Sequence, residues 1–377
     1  MIYKDFKGMK LSALGFGTMR LPVIGGNDSK PDCEAVNRMV AAAMEKGINY
    51  YDTAWGYHGG NAEYAITGAL RPYPRDSYYL ADKFPGYDVS NMPFAEKIFN
   101  EQLKKCERDY FDFYLIHNVC ELNINQYLDP KFGIYGYFAK QKDLGRIRHL
   151  GFSVHGSLEV MERFLEKYGD RMEFCQIQLN WLDWEFQKAR KKVELCRSLG
   201  LPVWVMEPVR GGMLLRLPPE TEEAQKKARP GETAAGWCFR FIQSVPEVCV
   251  TLSGMSDMKQ LEENVKTFEE DKPLDQKERA LLFDAAAKMT AAKTLPCTAC
   301  RYCVSHCPKE LDIPSLLALY NEHNFSGGGF LAPMALMSLP EEKRPSACIG
   351  CRSCEAVCPQ TLGISSALAE MARKIKL

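Results

Sequence analysis

Leu14-Gly15-Phe16-Gly17-Thr18-Met19-Arg20 is the stretch on which the fold turns. It opens as an apolar run with two close glycines, as a strand does when it enters the G-x-G-x-x-G loop of an open doubly wound sheet. Arg20 stands where the third glycine belongs, and no helical spacing follows at once. Outward from this point the chain alternates regularly. Apolar runs bounded by turn residues lie at 14–17, 48–52, 78–82, 113–117, 147–153, 174–179, 202–206 and 248–252. Helical spacing falls at 35–46, 62–70, 94–107, 137–144, 158–167, 185–199, 233–242 and 261–268. Runs that are apolar throughout read as strands buried on both faces, the habit of parallel sheets. Eight strand-then-helix units predict an α/β fold, a closed (β/α)8 TIM barrel.

The 377 residues include 48 basic and 48 acidic side chains, so the net charge is zero. That balance argues against a general binder of nucleic acid or membrane surface, which carries a basic excess. A hydrophobic content of 46% excludes a chain that is mainly disordered. No apolar run reaches the length of a spanning helix, and residues 1–10 alternate charged and apolar positions. Neither a membrane span nor a secretory signal is expected, and a cytoplasmic location is. The expected organisation is a barrel over 1–270, a helical connector over 271–295 and a second domain over 296–377. Ser326-Gly327-Gly328-Gly329 reads as a flexible connector inside that second domain.

Cysteine is the unusual residue. Of fifteen, seven are scattered singly from Cys33 to Cys249 and eight fall between Cys297 and Cys358. An odd count without a signal peptide is not a disulfide framework; the scattered seven read as small buried hydrophobes. Cys297, Cys300, Cys303 and Cys307 form C-x2-C-x2-C-x3-C before Pro308. Cys348, Cys351, Cys354 and Cys358 repeat that spacing before Pro359, each 51 residues after its counterpart. Two-residue spacers aim three sulfurs at three corners of a metal cube, with the fourth ligand arriving from elsewhere. Zinc also takes four thiolates, but generally from two C-x2-C hooks. The segment resembles a bacterial-type ferredoxin module. The resemblance implies a small α+β ferredoxin-like domain binding two [4Fe–4S] clusters, with the fourth cysteine of each run crossing to the other cluster. One ligand set is then Cys297, Cys300, Cys303 and Cys358, the other Cys348, Cys351, Cys354 and Cys307.

Barrel enzymes place their chemistry at the C-terminal ends of strands. The second run ends in Asp52 with Tyr57 five residues on, the third runs into Lys83, and the fourth ends in His117. Together these four residues suit proton donation to a carbonyl. A lysine beside the phenol lowers its pKa, an aspartate keeps that lysine charged, and a neutral histidine orients the carbonyl oxygen. Trp55, Tyr57, His58, Phe84, Trp181 and Trp184 are expected to line an apolar, partly aromatic mouth.

The pattern Leu14-Gly15-Phe16-Gly17-Thr18-Met19, Asp52-x4-Tyr57, Lys83 and His117 resembles the aldo-keto reductases. With the cysteine module attached, the chain resembles the iron–sulfur-containing branch of that family. The resemblance implies an oxidoreductase that uses NADPH or NADH to reduce a carbonyl or oxidise an alcohol. Tyr57 is then the general acid/base, Lys83 and Asp52 tune it, and His117 positions the substrate. It places Gly17, Thr18 and Met19 near the nicotinamide ribose, and Ser153 and Gln176 on the carboxamide. Met206 stands where an aromatic often stacks, and Val154 where an asparagine usually follows the serine. Glu207, Pro208, Arg210 and Gly211 occupy the pyrophosphate loop, with Glu207 in place of a common serine. Gly254, Ser256, Gln260, Glu263 and Asn264 match the adenosine end, and Lys259 and Arg210 stand in for the basic residues that grip a 2′-phosphate. The expected partners are a small carbonyl or alcohol substrate and a ferredoxin or flavoprotein that exchanges electrons with the clusters. Two alternatives stand beside this: a carbonyl reductase with structural or oxygen-sensing clusters, and a nicotinamide-binding redox sensor without turnover.

Overall fold

The computed structural model describes residues 1–291 and 293–376. The chain divides into two compact units, Met1–Phe283 and Asp284–Leu377. The first opens with an antiparallel hairpin of β1 (Tyr3–Phe6) and β2 (Met9–Ser12). Lys7 (φ 51°) and Gly8 (φ 84°) turn it, two left-handed residues matching the right-handed twist of the flanking strands. Eight parallel strands then close a barrel: β3 (Leu14–Gly17), β4 (Tyr50–Asp52), β5 (Tyr79–Phe84), β6 (Phe111–Val119), β7 (Ile147–Val154), β8 (Cys175–Gln178), β9 (Val203–Met206) and β10 (Val248–Gly254). All eight fall on the apolar runs. β10 pairs with both β3 and β9, which closes the ring.

Helices follow the strands. Side-chain caps start several of them: Asp32 accepts from the Ala35 N–H, Ser157 from Val160, Thr233 from Gly236 and Asp257 from Gln260. The expected helix over 185–199 is two helices, Asp183–Phe186 and Ala189–Ser198, broken at Lys188 (φ 56°). The hairpin, which the sequence reading leaves without structure, plugs the N-terminal end of the barrel. Phe6 and Leu11 are buried there, and the Phe6 ring meets Trp204 at 5.2 Å and Phe113 at 5.6 Å between centroids. The opposite end, where the strands finish, carries the candidate site.

The helix Gln276–Ala291 falls within the expected connector. The second unit carries the helices Ile313–Ser326, Leu331–Met337 and Ile364–Lys374 around a core that includes Leu311, Leu317, Leu368 and Met371. Its backbone keeps the 51-residue repeat: Ala299 and Gly350, Arg301 and Arg352, and Glu310 and Thr361 all have positive φ. These left-handed residues interrupt any extended run, and no strand is assigned in this unit among the described residues; its helical part matches the expectation. Ser326-Gly327-Gly328-Gly329 is a helix stop where a flexible connector was expected. Gly327 caps at φ 71°, and the Gly328 N–H returns to the His323 carbonyl at 2.9 Å. No described helix is long and apolar enough to cross a membrane.

Candidate active site

Three successive strands deliver the four polar residues to one mouth. β4 ends at Asp52, and the turn after it, closed by the Tyr57 N–H on the Ala54 carbonyl at 3.1 Å, brings Tyr57 back over the opening. β5 carries Lys83 and β6 carries His117. Lys83 is completely buried, and its ammonium donates to Asp52 Oδ1 at 2.5 Å and to the Thr53 carbonyl at 2.7 Å. Its Nζ lies 5.1 Å from the centre of the Tyr57 ring. A buried ammonium is costly unless paired; here burial pulls Lys83 down, but Asp52 and Tyr57 outweigh it and hold the amine charged. Burial pushes the Asp52 carboxyl up against the pull of Lys83.

Tyr57 departs from the sequence expectation. Burial raises its phenol, Lys83 opposes that rise, and Asp52 adds to it, so the net shift is upward. The lysine does not leave the phenol below its ordinary value; it offsets part of a desolvation cost, and the resting tyrosine holds its proton. His117 is pushed well below the usual histidine range by burial and by the Lys83 charge, so its imidazole is neutral. Its buried Nδ1 has no hydrogen-bond partner among the described residues. The ring is flanked edge-on by Tyr57 at 6.3 Å and by Tyr87 at 5.4 Å.

Tyr87 is a residue the sequence reading missed. The chain leaves β5 through Phe84-Pro85-Gly86, and a Cβ on Gly86 would sit 1.9 Å from the Tyr127 hydroxyl, so only glycine turns here. Tyr87 then packs over Gly56, whose Cβ would meet its hydroxyl at 2.3 Å. No local spacing marks such a residue. Just past His117 the pairing of β6 with β7 slips between Ile116 and Val119, and Asn118 adopts φ 54°. A bulge re-aims side chains at a strand end.

The aromatic mouth is narrower than expected. Trp181 is buried with its indole N–H on Cys238 Sγ at 3.3 Å, and Trp184 packs against Phe241. Phe84 packs on Phe138, and the His58 ring is held by the Asp28 carbonyl and the Leu21 N–H. These four are packing residues, because long-range partners claim them. Trp55 stays half-buried with Lys105 Nζ 3.9 Å from its ring centre.

The predicted cofactor residues fall at the same end of the barrel. Ser153 is buried, and its hydroxyl accepts from the Asn118 N–H at 2.7 Å. Gln176 donates to Met206 Sδ at 3.6 Å, while its Oε1 has no partner among the described residues. Gly17 pairs with Gly254 across β3 and β10, and Thr18 and Met19 begin the turn that follows. Ser256 donates to the Arg20 carbonyl at 2.8 Å, and a Cβ on Gly254 would press on the Arg20 side chain at 2.9 Å. Gln260 accepts from the Ser256 N–H at 3.0 Å, Glu263 faces Lys259 at 3.9 Å, and the buried Asn264 donates to Ser253 Oγ at 3.0 Å.

Glu207, half-buried at φ 56°, begins a tight loop through Pro208 that Gly211 (φ 61°) and Gly212 (φ 89°) complete. Burial raises its carboxyl; Arg20 and the Gly211 N–H pull it down. Arg20 is therefore a cation at this end of the barrel that the sequence reading passed over, although it sits in the stretch that decided the fold. Arg210 goes the other way. Its Nε meets both oxygens of the buried Asp183, at 3.1 and 3.2 Å.

In the second unit the eight cysteines line two hollows. Cys297, Cys300, Cys303 and Cys358 border one, and Cys307, Cys348, Cys351 and Cys354 border the other. Each hollow thus takes three cysteines of one run and the trailing cysteine of the other. Among the described residues no group of three His, Cys, Asp or Glu closes on a point as one metal ion requires. Four soft thiols spread around a cavity fit a multi-iron cube better than a single zinc.

Residues 13–286 match the model of the aldo/keto reductase family, and 296–363 match that of the 4Fe-4S dicluster domain. The chain is 26% identical over 215 residues to probable aldo-keto reductase 1 of Glycine max, spanning 55% of this chain and 58% of that one. It is 25% identical over 287 residues to L-galactose dehydrogenase of Arabidopsis thaliana, spanning 70% of this chain and 86% of that one. Among solved structures, the holo form of aldo-keto reductase AKR11C1 from Bacillus halodurans superimposes with a TM-score of 0.61 at 24% identity, covering 76% of this chain and 96% of the other.

Proposed function

The chain belongs to the aldo/keto reductase family of oxidoreductases and carries a 4Fe-4S dicluster domain; from that premise we propose that it reduces a small carbonyl compound, or oxidises the alcohol, with NADPH or NADH. The observation that carries the reading is the buried Lys83, held by Asp52 on one side and facing the Tyr57 ring on the other. A charged lysine has no packing reason to occupy that position. It does have a chemical one: when the phenol gives up its proton, the ammonium stabilises the phenolate that remains.

Nicotinamide, when bound, supplies or takes the hydride. The rest belongs to the protein. The neutral His117 offers a ring N–H to the carbonyl oxygen and orients it beside Tyr57. The Tyr57 hydroxyl transfers its proton to that oxygen, and solvent restores the proton afterwards. In the oxidative direction the phenolate takes the proton back. Gly17, Thr18, Met19, Ser153, Gln176 and Met206 hold the nicotinamide end; Pro208, Gly211, Gly254, Ser256, Gln260, Glu263 and Asn264 hold the rest of the dinucleotide, with the Glu207 carboxylate set against its phosphates. Arg20, whose charge acts on Glu207, joins them as a further cation at the phosphate loop, beside Lys259 and Arg210.

We further propose that the crossed cysteine sets hold two [4Fe–4S] clusters, which supply one-electron exchange with a ferredoxin or flavoprotein. A second reading makes the clusters structural. It is favoured by Cys303 and Cys354, which lie inside the hydrophobic core of their unit. One experiment separates the two. Cluster-reconstituted protein is mixed anaerobically with NADPH or NADH in a stopped-flow instrument, with and without a simple aldehyde. Bleaching of the cluster absorbance by nicotinamide alone supports electron exchange. Nicotinamide consumed only with the aldehyde, and no bleaching, supports structural clusters. No consumption under either condition overturns the reductase reading.

A further inference from the structure

Arginine occupies the same place twice in the second unit. Arg301 follows Cys300 and Arg352 follows Cys351, 51 residues later. Along the repeat from 297–320 to 348–371, the identical pairs are the cysteines, the following proline, and small or apolar residues, several of them sunk in the core like Leu311 and Leu362. One charged residue is kept, and it is this arginine.

Local structure does not favour it. Arg301 has φ 68° and Arg352 φ 60°, a left-handed conformation that glycine adopts freely and a Cβ opposes. The other left-handed positions of the repeat do not keep their residue, holding Ala299 against Gly350 and Glu310 against Thr361. Packing does not explain it either, because the two side chains are 58% and 73% exposed. What the two share is a location. Arg301 lines the hollow of Cys297, Cys300, Cys303 and Cys358, and Arg352 lines that of Cys307, Cys348, Cys351 and Cys354. Each has one acidic neighbour: Arg301 Nη1 lies 3.3 Å from Asp312 Oδ1, and Arg352 Nε lies 4.0 Å from Glu355 Oε2.

We propose that Arg301 and Arg352 set how readily each cluster accepts an electron, one arginine to one cluster. The proposal rests on the reading of the hollows as [4Fe–4S] sites. Reduction moves one electron from a one-electron carrier, a ferredoxin or flavoprotein, onto the cube; the carrier is oxidised by one electron and the cube with its four thiolates gains one negative charge. A guanidinium at the rim stabilises that added charge, and net charge is one of the levers on the potential. The acidic partners attenuate the effect without cancelling it: Asp312 is exposed, and Glu355 accepts from the Ser365 N–H and hydroxyl with its other oxygen.

The test is an EPR-monitored redox titration of the anaerobically reconstituted full chain. Arg301→Gln and Arg352→Gln are each expected to lower one potential by about threefold to tenfold in the reduced-to-oxidised ratio, about 30 to 60 mV for one electron. The other cluster moves less, and Arg301→Lys and Arg352→Lys retain most of the potential. Arg301→Gly and Arg352→Gly separate this role from a structural one: they relax the backbone, so thermal stability holds or rises while the potential still falls. Should a Gln variant load less iron, the Gly variant of the same site decides. Fully loaded Gln and Gly variants whose potentials match the wild type overturn the proposal. A wild-type chain that takes up no cluster removes the cluster reading and the proposal with it, which is visible in the iron content before any titration.

Discussion

The mouth of the barrel and the cysteine hollows of the second unit hold charge in opposite ways. At the mouth the protein provides both partners: Lys83 is completely buried and finds Asp52 Oδ1, the Thr53 carbonyl and the Tyr57 ring in place. At the hollows it provides eight thiols around two cavities with an arginine at each rim, and the iron that four thiolates call for has to come with the cofactor. The first site is built from the chain alone; the second is a set of thiols set against a small hydrophobic core. The electrostatics of the tetrad should therefore persist without a cofactor, whereas the second unit should depend on its clusters for stability as well as chemistry.

The sharpest way to break the first half of that comparison is Tyr57→Phe. It removes one hydroxyl, leaves the Lys83–Asp52 pair intact, and is expected to lower carbonyl reduction by about 10²- to 10⁴-fold. The cluster absorbance should not change. The pH profile gives the sign. Burial holds the Tyr57 phenol above its ordinary value, so its acid form persists through neutrality and reduction falls only as pH climbs through that raised pKa. Oxidation, which needs the phenolate, rises over the same interval. Lys83→Met removes the influence that opposes burial, so both limbs should move to higher pH. A profile that stays fixed in Lys83→Met would show that the limb belongs to another group.

The next effect sits at the far end of the barrel. Phe6→Ala opens a cavity beneath Trp204 and Phe113 and is expected to cost about 3–5 kcal/mol of barrel stability, read in a denaturant titration. The rate per folded molecule should be unchanged, because the plug and the mouth are at opposite ends of the strands. A large loss of turnover in the folded fraction would contradict that separation.

A smaller effect concerns Glu207, an acid where the dinucleotide phosphates are proposed to lie. Its carboxylate opposes them, and Arg20 answers it. Glu207→Gln should tighten binding of NADPH and NADH about threefold to tenfold, close to 1 kcal/mol, in a fluorescence titration at neutral pH. Because burial raises the Glu207 carboxyl, the wild type should itself bind more tightly as pH falls and that acid takes up its proton, and the Gln variant should lose this dependence. Weaker binding in the variant would instead make Glu207 a direct ligand of the nucleotide, through the ribose hydroxyls.

What was legible in the sequence follows the range of the interactions. The eight strands could be read because a strand buried on both faces is apolar along its own length. The tetrad could be picked out because its members lie in or just past the C-terminal parts of three successive strands, and the two cysteine runs because their spacing is local; the crossing between the runs came from the resemblance. Tyr87 and Arg20 were hidden, since nothing near them in sequence tells that Tyr87 meets His117 or that the Arg20 charge acts on the Glu207 carboxyl. Trp181 and Trp184 pack away from the mouth, and Arg210 pairs with Asp183, for the same reason: Cys238, Phe241 and Asp183 reach them from across the fold. The direction of the Tyr57 shift was misread because a sequence names the charges around a phenol but not how deeply it is buried.

The second half of the comparison is tested by the smallest change, Cys351→Ser. Cys351 borders one hollow only, with Cys307, Cys348 and Cys354. If the crossed sets are right, the variant loses or weakens one cluster and keeps the other, so iron content and visible absorbance fall by about half or less, as two separate cubes require. The loss should not be confined to spectra. The cubes would stand in for packing in a unit whose cysteines Cys303 and Cys354 sit in its hydrophobic core, so its thermal transition should fall or broaden while the barrel transition stays in place. Chelation of all iron should carry the same change further in the second unit and still leave the barrel unmoved. A variant that drops both clusters together would show that the hollows are not independent. One whose second unit melts unchanged would show that this unit, like the barrel mouth, is complete before its cofactor arrives, and the contrast between the two sites would then be one of chemistry alone.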